Sequence, residues 1–549
     1  TKNKEGEEII DPRRYEILVY RQIIKQIQTG ALHVESSTKH KTFYHELNQF
    51  EKKEDALETL NIPWLKKPCK EQVPLLLAEL NMLWIEVNDK LNKDDLKHIK
   101  YDKDNNKILW VNPKIINEEK EERQTLYNKI PICDVADMLR FVNKETGFFS
   151  SFTPLQPRCK KQKIDEDNII AVLISQATNV GNYKMAQTSD ISYRTLETTY
   201  QQYMRLATLR KANDTIANAI SRLPIFPYYL FDLDLLYGSL DGQKYDMLTP
   251  TVKARHSKKN FTKGRGVSAY TLLSNHVPIN CELIGSHDHE SYFAFDFWYN
   301  NTSLIKPTIL TSDMHGINQA NFALLHWFGA EFRPRFTNLK TAIKNTCCGS
   351  DLAYGDFLVA PEEIINEQLI YDEEENINNI VKSLALKDLN QSTLIKKLCL
   401  LPTKNKTRQA VAEFDVLVRS IYTLKCILHP EMLVNVHRSQ NRIESYHNLR
   451  AAIARVGGTK ALLGQTDLEA EVSNQSNRLI TTAIIYYNSV ILSCLLNKNI
   501  PLNKKKKLLK IIKKSSPVAW QHFHFTGHFL FYSNKKIISI KDIIESLEF

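Results

Sequence analysis

Apolar residues recur every three or four positions through most of the first 165 residues, as in YEILVYRQIIKQIQTG and EQVPLLLAELNMLWIEVNDKL, with short polar breaks between such stretches. That period turns one stripe of an α-helix toward a core, so residues 1–165 read as a helical region suited to dimerisation or DNA contact. From 166 to 224 the period continues in AVLISQATNVGNYKMAQ and SYRTLETTYQQYMRLATLRKANDTIANAI, broken at TSDIS, which predicts a helix-turn-helix-like connector. The texture changes after Leu223. LYGSLDGQKYDML, VSAYTLLSN and NCELIGSH are short, aromatic and β-branched between Gly, Asn and His turns, and they read as three consecutive strands. A helical SYFAFDFWYN, a buried-type strand KPTILTSD, a helix NQANFALLHWFG and a last strand AEFRPRF follow. This succession, residues 225–336, predicts a mixed sheet covered by helices.

Residues 337–430 return to the helical period and read as an insertion into that core. VNVHRSQNRIESYHNLRAAIARV, within 431–457, reads as one long helix, and 458–549 as a basic region that is helical to about Lys514. The uncharged run Leu479–Leu496 is long enough to cross a membrane, but Thr481, Thr482, Asn488, Ser489 and Ser493 would meet lipid, so it reads as a buried core helix. The expected fold class is mainly α with an α/β core, the mixed sheet being interrupted by a helical insertion and flanked by helical domains.

A chain of 549 residues with 43% hydrophobic and 25% charged residues is neither disordered nor fibrous. Nine scattered cysteines without a CxxC pair argue against a disulfide framework and for a reduced, cytoplasmic protein. TKNKEGEEII has neither an initiating Met nor an apolar signal core and reads as the start of a fragment. The net charge of +11 points toward a polyanion, and its distribution sharpens the point. Met247–Cys281 holds no acid and carries Lys253, Arg255, Lys258, Lys259, Lys263 and Arg265, placed to neutralise phosphates. Val472–Lys541 is also acid-free, and Leu502–Lys514 contains seven lysines among Leu and Ile. Such a helix suits DNA, an anionic membrane or a solvated face. Arg333 and Arg335 end the last strand and are further candidates for DNA contact, with pairing to acids of the insertion as the alternative.

Three carboxylates stand where a solvated surface acid is not expected. Asp241 lies in the first strand beside Gly242, and Asp313 ends the apolar strand KPTILTSD, at the edge where α/β sheets place functional groups. Glu444 shares a helix face with His437, Gln440, Asn441 and Asn448, opposite an apolar side made by Ile443, Tyr446, Leu449, Ile453 and Val456. Three such hard oxygen donors suit two divalent cations that serve an in-line displacement at phosphorus, and their carboxylates should then lie within about 4–8 Å of one another. Spacing alone equally allows a turn at Asp241, a helix cap at Asp313 and a solvated Glu444. His287, His289 and His315 raise zinc, but no Cys pair or HExxH helix accompanies them. His447, three residues after Glu444, and Arg442 are candidates to touch substrate phosphate.

SLDGQKY, LTSDMHGINQANFALLHWFGAEFRPRF, NRIESYHNLRAAIARVGG, NRLITTAIIYYNSVILS and SPVAWQHFHFTGHF resemble, in order and content, successive blocks of the Tn-three family of replicative transposases. ALHVESSTKH, GNYKMAQTSDISYRTLETTY and ANAISRLPI resemble it upstream, so the likeness covers nearly the whole chain. The resemblance implies a ribonuclease-H-like core with a DDE triad, which falls on Asp241, Asp313 and Glu444, the longer second interval holding the helical insertion. It also implies two Mg²⁺ ions, for which Mn²⁺ can substitute, DNA partners in the transposon terminal inverted repeats and the target, and at least a homodimer. The implied activity is 3′-end cleavage followed by strand transfer. A catalytically silent regulator and a nuclease without strand transfer are the alternatives. The family's further N-terminal DNA-binding region has no counterpart here.

Overall fold

The computed structural model describes residues 10–547 apart from 35, 38–39, 48–58, 97, 103–106, 111–125, 157–164, 233–234, 258–260, 262–263, 337–338, 388–389 and 533–536. It is mostly helical with a mixed sheet, in two compact units: Thr1–Pro113, Ser291–Asp296 and Ile317–Leu433 form one, and Lys114–Glu290, Phe297–Gly316 and Val434–Phe549 the other.

In the second unit, strands β1 (Tyr237–Asp246), β2 (Arg265–Ser274), β3 (Val277–Gly285) and β4 (Ile309–Ser312) run close to the stretches the alternating pattern marks. β1 pairs antiparallel with β2, β2 antiparallel with β3, and β4 lies parallel to β1 on its other side. The β2–β3 hairpin closes through Asn275 and His276, both at positive φ, the two-residue turn that matches strand twist. Four helices matter to the sheet: α1 (Leu206–Ser221), α2 (Pro430–Ala454), α3 (Asp467–Leu496) and α4 (Leu502–Lys514). The polar break at TSDIS does separate two helices, Gly181–Gln187 and Tyr193–Tyr203.

Helix α3 is long and apolar enough to cross a membrane, yet 83% of its apolar window is buried inside the protein. It is a core helix, and its polar residues have a definite task. β3 pairs with β2 along one side only, which leaves backbone groups on its other edge in need of partners. Glu471, Gln475 and Arg478, at i, i+4 and i+7, form one stripe on α3. Glu471 accepts from the Leu283 amide at 2.8 Å, Gln475 donates to the Cys281 carbonyl, and Arg478 donates to the Pro278 carbonyl at 2.9 Å. Arg450 of α2 is fully buried, donating to Asn477 at 2.9 Å and to Asn474 at 2.6 Å and lying over the Tyr245 ring. The partners of this buried cation are amides, rings and the Cys281 thiol, and they lock α2 to α3.

The first unit is helical and shows why the 1–165 stretch divides. The Cys69–Asn92 helix packs against the Lys406–Leu428 helix of the insertion. Trp84, fully buried, donates to the Cys347 carbonyl at 2.9 Å, and the Asn88 side chain bonds both the amide and the carbonyl of Val359 at 3.0 Å. Trp64 stacks near Trp327 and Phe414. Each such aromatic burial contributes about 2–3 kcal/mol. The insertion thus shares a core with the chain's first third. The last strand predicted for the mixed sheet, AEFRPRF, is extended only at Glu331–Phe332.

Candidate active site

The register of β1 against β4 builds the site. Ser239 sits beside Thr311 and Leu240 beside Ser312, so the next positions along the ladder are Asp241 and Asp313. Alternation sends Ser239, Asp241 and Gln243 to one face of β1, and α2 lies over that face. Ser239 meets Ser439 hydroxyl to hydroxyl, Gln440 donates to Thr311 at 3.0 Å, and Gln243 donates to the His447 carbonyl at 2.6 Å. These bonds set α2 along the strand so that His447 Nδ1 stands 3.4 Å from Asp241 Oδ2. The Asp241 side chain remains 27% exposed, open to solvent beside the buried imidazole. His447 Nε2 is buried and has no hydrogen-bond partner among the described residues.

Asp313 leaves the end of β4 and caps the turn that follows, accepting from the His315 amide at 2.9 Å through Oδ1. The cap expected from sequence is therefore present, and it fixes the carboxyl at the sheet edge. Burial first, and then the charge of Asp241, push the Asp313 carboxyl above the usual carboxylate range, with the His315 amide bond opposing. On the opposite face of β1, Lys244 pairs with Glu290 at 2.5 Å, and Ser268 donates to the same carboxylate at 3.1 Å. A Cβ at Gly242 would strike that carboxylate, so the glycine beside Asp241 is there for close approach. Tyr270, paired with Gly242, has its hydroxyl pushed well above its ordinary value by burial and then by Glu290, Asp241 and Asp313. Glu290, Lys244 and Tyr270 escaped the sequence reading because the ladder joins β1, β2 and the residue after β3, whereas the pattern of each strand by itself is silent on its neighbours.

Glu444 is exposed one turn before His447 on the same helix, and no group of three or more His, Cys, Asp or Glu side chains arranged to hold a metal occurs among the described residues. The structure sets Asp241 beside Asp313 along the ladder and His447 beside Asp241, and Glu444 is exposed on the same helix as His447. His287, His289 and His315 form no such group either.

The basic candidates divide. Arg255, on a two-residue strand Arg255–His256, and Arg265, at the start of β2, are exposed and lie opposite Gly266 and His256 respectively. Lys258, Lys259 and Lys263 lie outside the described residues. Arg335 is exposed in the first unit. Arg333, a candidate for DNA contact or for pairing with an acid of the insertion, is buried with its guanidinium on Glu331 at 2.7 Å, two residues earlier in the chain. Arg442 is likewise built into the wall of the fold, donating to Asn275 at 3.0 Å and to the Tyr229 carbonyl at 2.7 Å and lying 4.0 Å over Phe231.

Residues 137–529 match the family model described as the Tn3 transposase DDE domain. The chain belongs to the Tn3 transposase family. Among curated relatives it is 23% identical over 97% of its length to the transposase for transposon Tn2501 of Escherichia coli, covering 53% of that protein. It is 22% identical over 82% of its length to the transposase for transposon Tn1546 of Enterococcus faecium, covering 45% of that protein, and 22% identical over 96% to the transposase for transposon Tn21 of Escherichia coli, covering 53%. The chain spans about half the length of these relatives. The matched region runs from within the Val135–Thr146 helix to the segment after α4, and so includes β1, β4, α2 and the insertion.

Proposed function

We propose that this chain is the catalytic part of a replicative Tn3-type transposase, with a ribonuclease-H-like core and Asp241, Asp313 and Glu444 as its DDE triad. The observation that supports this best is the register that sets Asp241 beside Asp313 on neighbouring strands, with α2, the helix of Glu444, lying over the same face. The donor set suits a hard divalent cation: two carboxylates at adjacent strand positions, one held above its usual range by burial and by the other's charge, are relieved by a cation that neutralises both. Two Mg²⁺ ions, or Mn²⁺ in their place, held by Asp241, Asp313 and Glu444 would supply Lewis-acid stabilisation of the charge that develops at the phosphate. His447 holds Asp241 in place from the side of α2. Arg255 and Arg265 draw the phosphate backbone to the sheet edge. In the reaction, water displaces the flanking strand at each transposon end and frees a 3′-hydroxyl, and that hydroxyl displaces a target-strand oxygen at phosphorus, so no covalent enzyme intermediate is needed. Work on two ends calls for at least a homodimer acting on inverted repeats and target DNA in the cytoplasm.

The test is incubation with a pre-nicked transposon-end duplex and a target plasmid in Mg²⁺. Joined product supports the transposase. Hydrolysis alone supports a nuclease, and neither product supports a silent DNA-binding protein. If Asp241→Ala, Asp313→Ala and Glu444→Ala variants still joined strands, the triad would be wrong.

A further inference from the structure

The lysine-rich helix α4 has no part in the carboxylate site, yet its C-terminal end meets the helix that carries Glu444. A cavity of about 250 Å³ opens between Tyr228–Phe231, the Arg438–Ser445 side of α2 and Lys513–Ser516. Its lining includes Arg438, Arg442, Lys513 and Lys514, and no Asp or Glu lines it among the described residues. Arg438 and Lys513 are exposed and have no ion-pair partner among the described residues. Four cations around one concavity with no acid among them make a strong positive potential, and the cost of holding them together is lowered by an anion.

The walls are aromatic as well as basic. Tyr228 is 36% exposed, with its hydroxyl donating to the Leu509 carbonyl, so the ring is fixed while a face stays open. Phe231 lies deeper, under Arg442. The Ser516 hydroxyl at the α4 side is buried without a partner among the described residues. Cations beside fixed rings are the arrangement that takes a phosphodiester strand by its charge and its unstacked bases by their faces. The volume admits a nucleotide and excludes the width of a duplex, whose phosphates would touch only Arg438 and Lys513 at the rim.

We propose that this cavity binds single-stranded DNA, taking one unpaired nucleotide on Tyr228 with its flanking phosphates on Arg438 and Lys513. It deepens the transposase reading by assigning a holding site for an unpaired strand, separate from the carboxylates. The α4 side of the cavity lies in the acid-free Val472–Lys541 stretch, and α2 joins the holding site to the carboxylate site through one rigid rod.

The test measures binding of the full chain to a fluorescent twelve-nucleotide oligo(dT) and to a duplex of the same length, by anisotropy over a series of salt concentrations. Arg438→Gln/Lys513→Gln is expected to weaken oligo(dT) binding at least tenfold and to reduce its salt slope by about 1.4, the value for two phosphate contacts on a single strand. Tyr228→Ala is expected to weaken oligo(dT) binding by about fivefold to tenfold with an unchanged salt slope and an unchanged duplex affinity, as a stacking contact should. All three substitutions are at exposed side chains, and unaltered thermal melts verify the fold. Equal losses for single strand and duplex, or no loss from Tyr228→Ala, would overturn the proposal. Asp241→Asn/Asp313→Asn should bind oligo(dT) like the parent chain. If that variant lost oligo(dT) binding, the strand would be held at the carboxylates and the cavity assignment would fall. If the chain joined no strands but bound oligo(dT) through Tyr228, only the transposase reading would fall.

Discussion

Two acids raised by burial, Asp313 in part and Asp415 in full, show how one residue type serves different ends. Asp313 is raised by burial and by Asp241 at a face open to solvent, the environment of a group kept for a ligand. Asparagine at either position removes the repulsion and keeps a carbonyl oxygen to accept the His315 amide. Asp241→Asn and Asp313→Asn should therefore lower strand joining by at least 100-fold while the melting temperature holds or rises. Asp415 is a structural contrast: it accepts from the amides of Phe322 and Ala323 at the start of the Asn321–Trp327 helix. Burial pushes its carboxyl from the usual 3.8 up to about 7, with Arg419 and the two amides opposing. The folded state thus keeps a proton that the unfolded chain has already lost. This stability is fully present below about pH 4 and disappears as pH rises through 7, by at most about 4 kcal/mol. Asp415→Asn accepts the same amides without titrating. Urea unfolding at pH 5 and pH 8 should show the parent losing more stability than the variant across that interval, with the variant the more stable at pH 8.

Elements impose demands that single residues answer. β1 tolerates no side chain at 242 because the Glu290 carboxylate, held by Lys244 and Ser268, fills the space. Gly242→Ala should cost about 1–3 kcal/mol through overpacking, and adding Glu290→Ala should recover part of it in a double-mutant cycle. Additive costs would mean that the carboxylate is not the obstacle. The outer edge of β3 depends on α3 in a similar way. Gln475→Leu leaves the Cys281 carbonyl buried without its donor, and denaturant unfolding should show a loss of about 1–3 kcal/mol. Substitution at Leu468, an exposed position on the same helix, should leave stability within about 0.5 kcal/mol.

At the scale of the whole molecule, the +11 charge acts through where it stands. Arg255 and Arg265 are exposed on the strand pair at the Asp246 end of β1, so Arg255→Gln/Arg265→Gln should weaken duplex binding and reduce the slope of log K against log salt by about 1.8, measured by filter binding. An unchanged slope would remove both from the DNA path. The basic loop, the lysine-rich helix, three strands in succession, the carboxylate at the end of a fourth and the long helix of Glu444 are all legible along the chain, because period, β-branching and turn residues act locally. The burial of α3 was legible as well, from the hydroxyls and amides in its apolar run.

What the sequence alone determined, then, is the order and type of the elements and the identity of the acids and bases they carry, since these follow from contacts within a few residues. The tertiary structure decided which of them meet. Register set Asp313 beside Asp241, the α2 packing brought His447 to Asp241 and left Glu444 exposed, and neighbouring groups took Arg333 and Arg442 into structural roles. It also gave the insertion a common core with the first third of the chain and divided residues 1–165 between two units. Those outcomes depend on hydrogen bonds and buried contacts between residues hundreds of positions apart, and a local pattern carries no information about its distant partner.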